Sequence, residues 1–449
     1  MVDRDVGARL LRQLREGRGW SWADLARALR DTARRLAVAS LMDRQVSSIQ
    51  RTVARWESVA ERTCPGDRYQ FLLAHLFART RTGDVSLGPG SEFSALLDAL
   101  RHFGTPPDRI DQLIALVART ASNEGNEGNE ILGLLPSALG SSVATAQRGS
   151  TRLGHDALLD LRNSVTEING RIGSTPFVRL QLQLAPAVEA CRRLLRPSDP
   201  DPQDELVLLA ITTYALAARL AFETRDDEMS MVLYGEATEV AGRLADRSHR
   251  AAVQTSRTMV TLHATQDLDA ARTIARAATV DAHRGASHSV RARAHAVHAE
   301  ICARAGHAAD ASAALDRAWK TVDQMTVDDP YHAFSGDQLN GFDGICALHA
   351  GDAGRAHDRL INSLGALRES RDAVQRGIVS TDLALARLRL GDVVACVDLL
   401  HQAVDTTAST GGRVSAQRIR SVRRVLRPWR AESFMAELDD HMHDTLLGS

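Results

Sequence analysis

The chain has 449 residues; 44% are apolar, 25% charged and 4% aromatic, and the formal net charge is −1. This length and balance describe a globular protein of roughly two to four domains and exclude a disordered or fibrous chain. The charge is unevenly divided: residues 1–82 carry sixteen arginines against nine carboxylates, or +7, while the remainder sums to −8, so an anionic partner is expected for the head alone.

Alanine, leucine and arginine dominate where β-rich chains lean on β-branched and aromatic residues, so the expected fold class is all-α. Residues 6–16 place Val6, Leu10, Leu11 and Leu14 on one helical face, and Gly17 and Gly19 end that helix. Ser21 is the expected N-cap of a second helix, with Asp24 completing an approximate capping box and Leu25, Ala26 and Leu29 forming the buried stripe. Residues 30–46 read as a helical extension or insertion with a basic face of Arg30, Arg34, Arg35 and Arg44. Ser47 or Ser48 is expected to cap a third helix, SSIQRTVARWE, which buries Ile49, Val53 and Trp56 and whose Glu57 ties its end to the core. Pro65-Gly66 turns the chain into YQFLLAHLF (69–77), which closes a small core.

Two short amphipathic helices in this order suggest a helix-turn-helix, whose second helix enters the major groove. The expected DNA-contacting side chains are Ser48, Gln50, Arg51 and Thr52, with Arg55 one turn on. Glutamine pairs bidentately with adenine and arginine with guanine. The competing reading is the ordinary basic face of a helical bundle.

Further along, residues 81–92 read as a linker, and residues 93–119 hold one or two helices broken at Thr105-Pro106-Pro107. The tandem NEGNEGNE at 123–130 reads as a flexible tether. The expected domains are 1–82 (DNA-binding), 83–153 (helical linker) and 154–449 (helical repeats).

The body repeats itself in AGHAADASAALDRA (305–318), AGDAGRAHDRLINS (350–363) and LGDVVACVDLLHQA (390–403). Turn glycines Gly306, Gly351 and Gly391 are followed at fixed offsets by the small residues Ala311, Ala356 and Cys396, then by Leu315, Leu360 and Leu400. A weaker copy at 265–278 carries Ala271, Ala275 and Ala278, and an earlier one is placed on Asp226, Met231 and Gly235. Small residues at such offsets let antiparallel helices approach closely, and stacked hairpins give a concave face. Polar residues at lining offsets, His263, Arg293, Glu300, Arg304, Gln338, His349 and Arg389, are the candidate ligand contacts; a solvated helix face is the alternative for each. Tyr331 and Phe334 lie where they either close a pocket or pack in the core.

VARWES followed by PGDRYQFLLAHLF resembles the XRE/Cro-like regulators of actinobacteria, and the turn-glycine pattern resembles the tetratricopeptide repeat (TPR). Residues 328–352 and 418–442 are similar to the C-terminal half of regulators that join an XRE head to a TPR body. Two departures stand out: residues 30–46 lengthen the turn, and Trp22 occupies a position usually held by a polar, phosphate-contacting glutamine. The resemblance implies a transcription factor that binds double-stranded DNA, dimerises through its body and senses a peptide, small molecule or protein. The alternative is a TPR scaffold acting through protein contacts without sequence-specific DNA binding.

The five cysteines are scattered without CxxC spacing, as in a reducing cytosol. No apolar run is read as approaching the roughly 18 residues of a membrane span. The N-terminus is charged throughout, so a cytoplasmic chain without a signal peptide or membrane partner is expected. His295, His298 and Cys302 share a helix face but lack an evident fourth ligand, so no metal is expected. Asp439-Asp440-His441-Met442-His443-Asp444 resembles an aspartate-rich cyclase motif only superficially, and no P-loop, GxSxG or HExxH occurs. Neither catalytic residues nor a cofactor is expected. The arginines of 413–430 read as the solvated outer face of the last repeat.

Overall fold

The protein is described by a computed structural model covering residues 2–446 except 37, 43, 59, 60, 62, 81, 122–131, 133, 134, 136, 150–152, 196–202, 327, 328, 330, 332, 333, 370 and 371. The described residues are all-α; the only extended pairing among them is an isolated antiparallel bridge between Arg79 and Val85. The acidic repeat at 123–130 lies outside the described residues. Two compact units form, one of Met1–Asn163 with Gln181–Arg196 and one of Ser164–Leu180 with Pro197–Ser449.

The first unit contains α1 (Arg4–Gly17), α2 (Trp22–Arg35), α3 (Ala39–Met42), α4 (Val46–Trp56), α5 (Asp67–Phe77), α6 (Glu92–His102), α7 (Pro107–Ala121) and α8 (Ser137–Gly149). Asp3 caps α1 by accepting from the Val6 amide at 3.1 Å. Ser21 and Asp24 form a reciprocal capping box on α2. The cap expected at Ser47 or Ser48 is corrected. Gln45 precedes α4 without a side-chain cap, and its carbonyl already accepts from the amides of Ser48 and Ile49, so both serines lie inside the first turn.

The segment 30–46 is helical over most of its described residues, as the helical reading expects. It prolongs α2, breaks at Leu36 and adds the single turn α3, while Leu36, Val38 and Leu41 are buried. The first unit runs on past residue 82. Helix α6 packs on α1 and buries Phe93, Leu96 and Leu100, and the Asp3 amide donates to the His102 carbonyl at 3.1 Å. Within the expected linker, the Ser86 amide reaches back to the Ala78 carbonyl at 2.8 Å.

Helices α9 (His155–Gly170) and α10 (Phe177–Leu194) follow. The second unit then stacks five helical hairpins in a solenoid-like array: α11 (Asp204–Glu223) with α12 (Asp227–Ala241), α13 (Ser248–Thr265) with α14 (Leu268–Arg284), α15 (His288–Arg304) with α16 (Ala308–Val322), α17 (Gly336–Ala350) with α18 (Ala353–Ala366), and α19 (Ala373–Arg389) with α20 (Val393–Thr410). Helix α21 (Arg413–Val425), a 3₁₀ turn at Arg427–Trp429 and α22 (Ser433–Leu446) complete it.

Each hairpin turns on one left-handed residue. Gly306, Gly351 and Gly391 fill that place in the last three hairpins, and the non-glycines Arg225 (φ 65°) and Gln266 (φ 58°) fill it in the first two. Asp226, Asp267, Asp352 and Asp392 follow four of these residues and cap the next helix. Because Arg225 is the turning residue, the first copy sits one residue earlier than expected. Ser230 and Tyr234, both buried, hold the contact positions assigned to Met231 and Gly235. Within the α17–α18 hairpin the two helices approach closely at Gly344, where a Cβ would lie 2.6 Å from Leu360 Cγ.

Arg413 at the start of α21 fastens the array back onto its first hairpin. Its amide donates to Glu223 Oε2 at 2.7 Å, its guanidinium donates to the Phe222 carbonyl and both Asp227 oxygens, and it lies 4.6 Å from the Phe222 ring centre.

One sequence expectation is overturned in α11. This helix is long and apolar enough, by length and composition, to cross a bilayer (mean hydropathy 1.6). However, 72% of its apolar window is buried inside the fold, as in a core helix.

Candidate functional site

Helix α4 presents one face to the core and the other outward. Ile49, Val53 and Trp56 are buried, and Trp56 meets Tyr69 edge-on at 4.7 Å between ring centres. Ser47, Arg51 and Arg55 are exposed one turn apart, flanked by the half-buried Ser48, Gln50 and Thr52. Arg51 donates only to its own helix, at the Ser47 carbonyl, and Arg55 makes an exposed ion pair with Glu61 at 3.4 Å. The Thr52 hydroxyl is turned back to the Ser48 carbonyl at 3.1 Å, which leaves Gln50, Arg51 and Arg55 as the outward-reaching polar side chains of this set.

The C-terminus of α4 is anchored by Glu57. Its carboxylate is fully buried and accepts two 2.7 Å bonds from Arg15 and one of 2.9 Å from the Trp22 indole N–H. Arg12 donates to the Glu57 carbonyl, and Arg15 also donates to the Trp20 carbonyl, each at 2.7 Å. The Arg15 guanidinium is raised above its ordinary range first by its hydrogen bonds to Glu57. Trp22, which departs from the polar residue of the resembled pattern, therefore helps hold the helix pair together.

The second site lies inside the solenoid. A cavity of about 520 Å³ is walled mainly by the first helices of the hairpins, including the α13 stripe His249, Val253, Ser256, Val260 and His263. Of the candidate ligand residues, His263, Arg293 and Glu300 line it. Arg304 and His349 line an adjoining open cleft that shares His263 and Arg418 with the cavity. Gln338 is taken up in the capping box of α17, where it accepts from the Ser335 amide and hydroxyl. Arg389 donates to the Leu348 carbonyl at the end of α17.

No protein-family model matches the chain. No curated protein matches it either. Among solved structures, one match is the crystal structure of BtubC (BKLC) from P. vanneervenii, 16% identical, covering 56% of this chain and 93% of that one with a TM-score of 0.38. A likeness of that size carries no inference about function.

A charged cluster binds the inner helices together. Glu300 accepts from Arg304 at 2.7 and 2.9 Å and from Arg418 at 3.2 Å, and Arg418 also pairs with Asp382. Burial pushes the Glu300 carboxyl up, but Arg304 and Arg418 overcome this and hold it at about 2. His263 is pushed down to about 3 by burial and the Arg418 charge, and His349 to about 4 by burial and Arg304, so both are neutral at pH 7. Arg418, expected on a solvated outer face, is turned inward because α21 closes the array. Its signal in the sequence was hidden by the arginines around it; Arg423 pairs with Asp439, and Arg424 is exposed as expected.

The remaining clusters resolve into packing. Phe334 joins the core with Phe342, whereas Tyr331 lines the cavity with its hydroxyl 2.5 Å from His249 Nδ1. His295 faces His283 at 3.1 Å between Nε2 atoms, and His441 bridges His401 and Asp405. Among the described residues no group of three or more His, Cys, Asp or Glu is placed to hold a metal.

Proposed function

We propose that this chain is a DNA-binding transcriptional regulator of the XRE type whose TPR-like body receives a signal. The observation that carries this reading is the outward edge of α4. Gln50, Arg51 and Arg55 extend from a helix whose end is fixed by the buried Glu57 cluster, within a segment of net charge +7. A rigid helix with an amide and two guanidinium groups along its exposed face has the chemistry of major-groove readout. Single heads make few base contacts, so the reading includes a homodimer on two half-sites about 34 Å or a multiple apart. It also places the protein in the cytoplasm, with the inner face of the hairpins as the receiver of a peptide, small molecule or protein.

The test is selection of bound duplexes from a random pool by the full chain, followed by a salt titration. Binding should weaken steeply with salt, because phosphate contacts release counterions. Gln50→Ala with Arg51→Ala should relax sequence preference by roughly 1–3 kcal/mol for each bidentate pair lost. Absence of salt-dependent binding, or unchanged preference in the double variant, would refute the assignment of α4. The 520 Å³ cavity supports a second reading, a binding module acting through its body alone, which predicts ligand capture without affinity for DNA.

A further inference from the structure

Two carboxylates on the wall of the 520 Å³ cavity, Glu300 and Asp382, are held by guanidinium groups, whereas two of its guanidinium groups make no ion pair among the described residues. Glu300 and Asp382 are bound to Arg304 and Arg418, and Glu223 accepts the Arg413 amide. Arg219 and Arg293 also line the cavity, and among the described residues neither has a carboxylate within ion-pair distance. Arg293 donates only to Ser256 Oγ, at 3.3 Å. Burial and the Arg219 charge hold the Arg293 guanidinium below its ordinary range. A guanidinium stays charged under any ordinary condition, so two cations stand here without a bidentate partner in a poorly solvated place, although the Arg219 charge acts on the buried Glu223 carboxyl.

Two further polar groups there lack partners. Tyr234 is 2% exposed, lines the cavity, and its hydroxyl makes no hydrogen bond among the described residues. His263 Nε2 is buried without a partner. The rest of the wall is apolar, with Ile211, Val253, Phe342 and Ile345 among its residues. The volume falls within the range of about 300–1,000 Å³ typical of small-molecule sites. The adjoining cleft is edged by Arg304, Arg420 and Arg424, a field that attracts anions toward the shared His263 and Arg418.

We propose that this cavity binds a small amphipathic carboxylate, its carboxylate taken by Arg219 and Arg293 and its apolar part by the Ile211, Val253, Phe342 and Ile345 wall. Guanidinium groups match the planar carboxylate bidentately, and the Tyr234 hydroxyl supplies a further donor. A phosphate head fits less well, since its second charge would face Glu223 and Glu300 on the same wall. The inference rests on reading the hairpin array as the signal-receiving part of the regulator, and its test uses no DNA.

The experiment is calorimetric titration of the full chain with decanoate, 1-decanol and decyl phosphate below their aggregation limits. Decanoate should bind saturably, at least about tenfold more tightly than 1-decanol, the scale of one charged hydrogen-bonded contact. Arg219→Gln and Arg293→Gln should each weaken decanoate by about tenfold while leaving 1-decanol unchanged. If one variant fails to fold, the other supplies the comparison. Equal affinity for acid and alcohol, retention of decanoate binding in a folded variant, tighter binding of decyl phosphate, or no saturable binding of decanoate would each overturn the proposal. Failure of DNA binding with intact decanoate binding would sink the regulator reading and leave the site standing.

Discussion

Replacing Glu57 by alanine should unfold the first unit far more readily than its one-residue size suggests. The substitution removes both 2.7 Å bonds to Arg15 and the bond from the Trp22 indole. Arg15 is only 7% exposed and keeps the Trp20 carbonyl and the solvent-facing Glu16. Breaking a buried pair from one side costs about 3–5 kcal/mol, and the surviving Arg15 contacts place this case near 3 kcal/mol. The double change Arg15→Met with Glu57→Leu leaves no stranded charge and should fall within about 1 kcal/mol of the starting protein. Arg27→Ala, which removes an exposed pair with Asp24, is the control and should cost less than about 0.5 kcal/mol. Urea unfolding followed by tryptophan fluorescence reads the effect, since Trp20, Trp22 and Trp56 report from this unit. The two units are fitted as separate transitions. A loss below about 1 kcal/mol for Glu57→Ala, or a double variant as damaged as the single one, would refute the account of the cluster.

Other substitutions test the hairpin array and the buried histidines. Gly344→Ala should lower stability by about 1–3 kcal/mol, because its Cβ would meet Leu360 at 2.6 Å; an unchanged Tm would mean that α17 and α18 separate freely. Gln266→Gly should stabilise by up to about 1 kcal/mol, since a left-handed non-glycine costs about 1–2 kcal/mol and the added chain entropy offsets part of the gain. A fall in the midpoint of unfolding would instead assign the Gln266 side chain a structural contact. His75 is held at about 3 by burial, so between about pH 6.5 and 3 the unfolded chain binds the proton and the folded one does not. Stability of the first unit should therefore fall with pH, by roughly 2 kcal/mol at pH 5, and His75→Gln should flatten the curve. A pH profile identical in the variant would remove His75 as its cause.

The helical class and the head's core were legible because 3.6-residue periodicity, the Ser21–Asp24 box and the buried Ile49, Val53 and Trp56 are local signals. The turns at Gly306, Gly351 and Gly391 were legible for the same reason, since glycine advertises a left-handed residue. Arg225 and Gln266 adopt the same conformation without the advertisement, which is why the sequence pattern puts the first copy one residue late. The start of α4 is hidden in the sequence because two serines that look like caps sit beyond a Gln45 carbonyl that already accepts helical bonds. Long-range closure left no local mark. Arg413 and Arg418 are two arginines among many in their helix, and only the meeting of α21 with helices up to 191 positions away distinguishes them. The same holds for Arg219, whose place on the cavity wall depends on the stacking of hairpins and not on its neighbours in sequence.

Stacked-hairpin proteins ordinarily gain and lose modules with ease, because each module touches only its neighbours and the array ends in open space. The clasp from Arg413 to Phe222, Glu223 and Asp227 removes that freedom. Inserting or deleting one hairpin would carry α21 away from α11 and α12, strand the Glu223 carboxyl and Asp227, and pull Arg418 out of its cluster with Glu300 and Asp382. The number of hairpins between the two halves of the clasp is thus fixed by geometry, so variation in this part of the protein must proceed by exchange of side chains and not by change of module number.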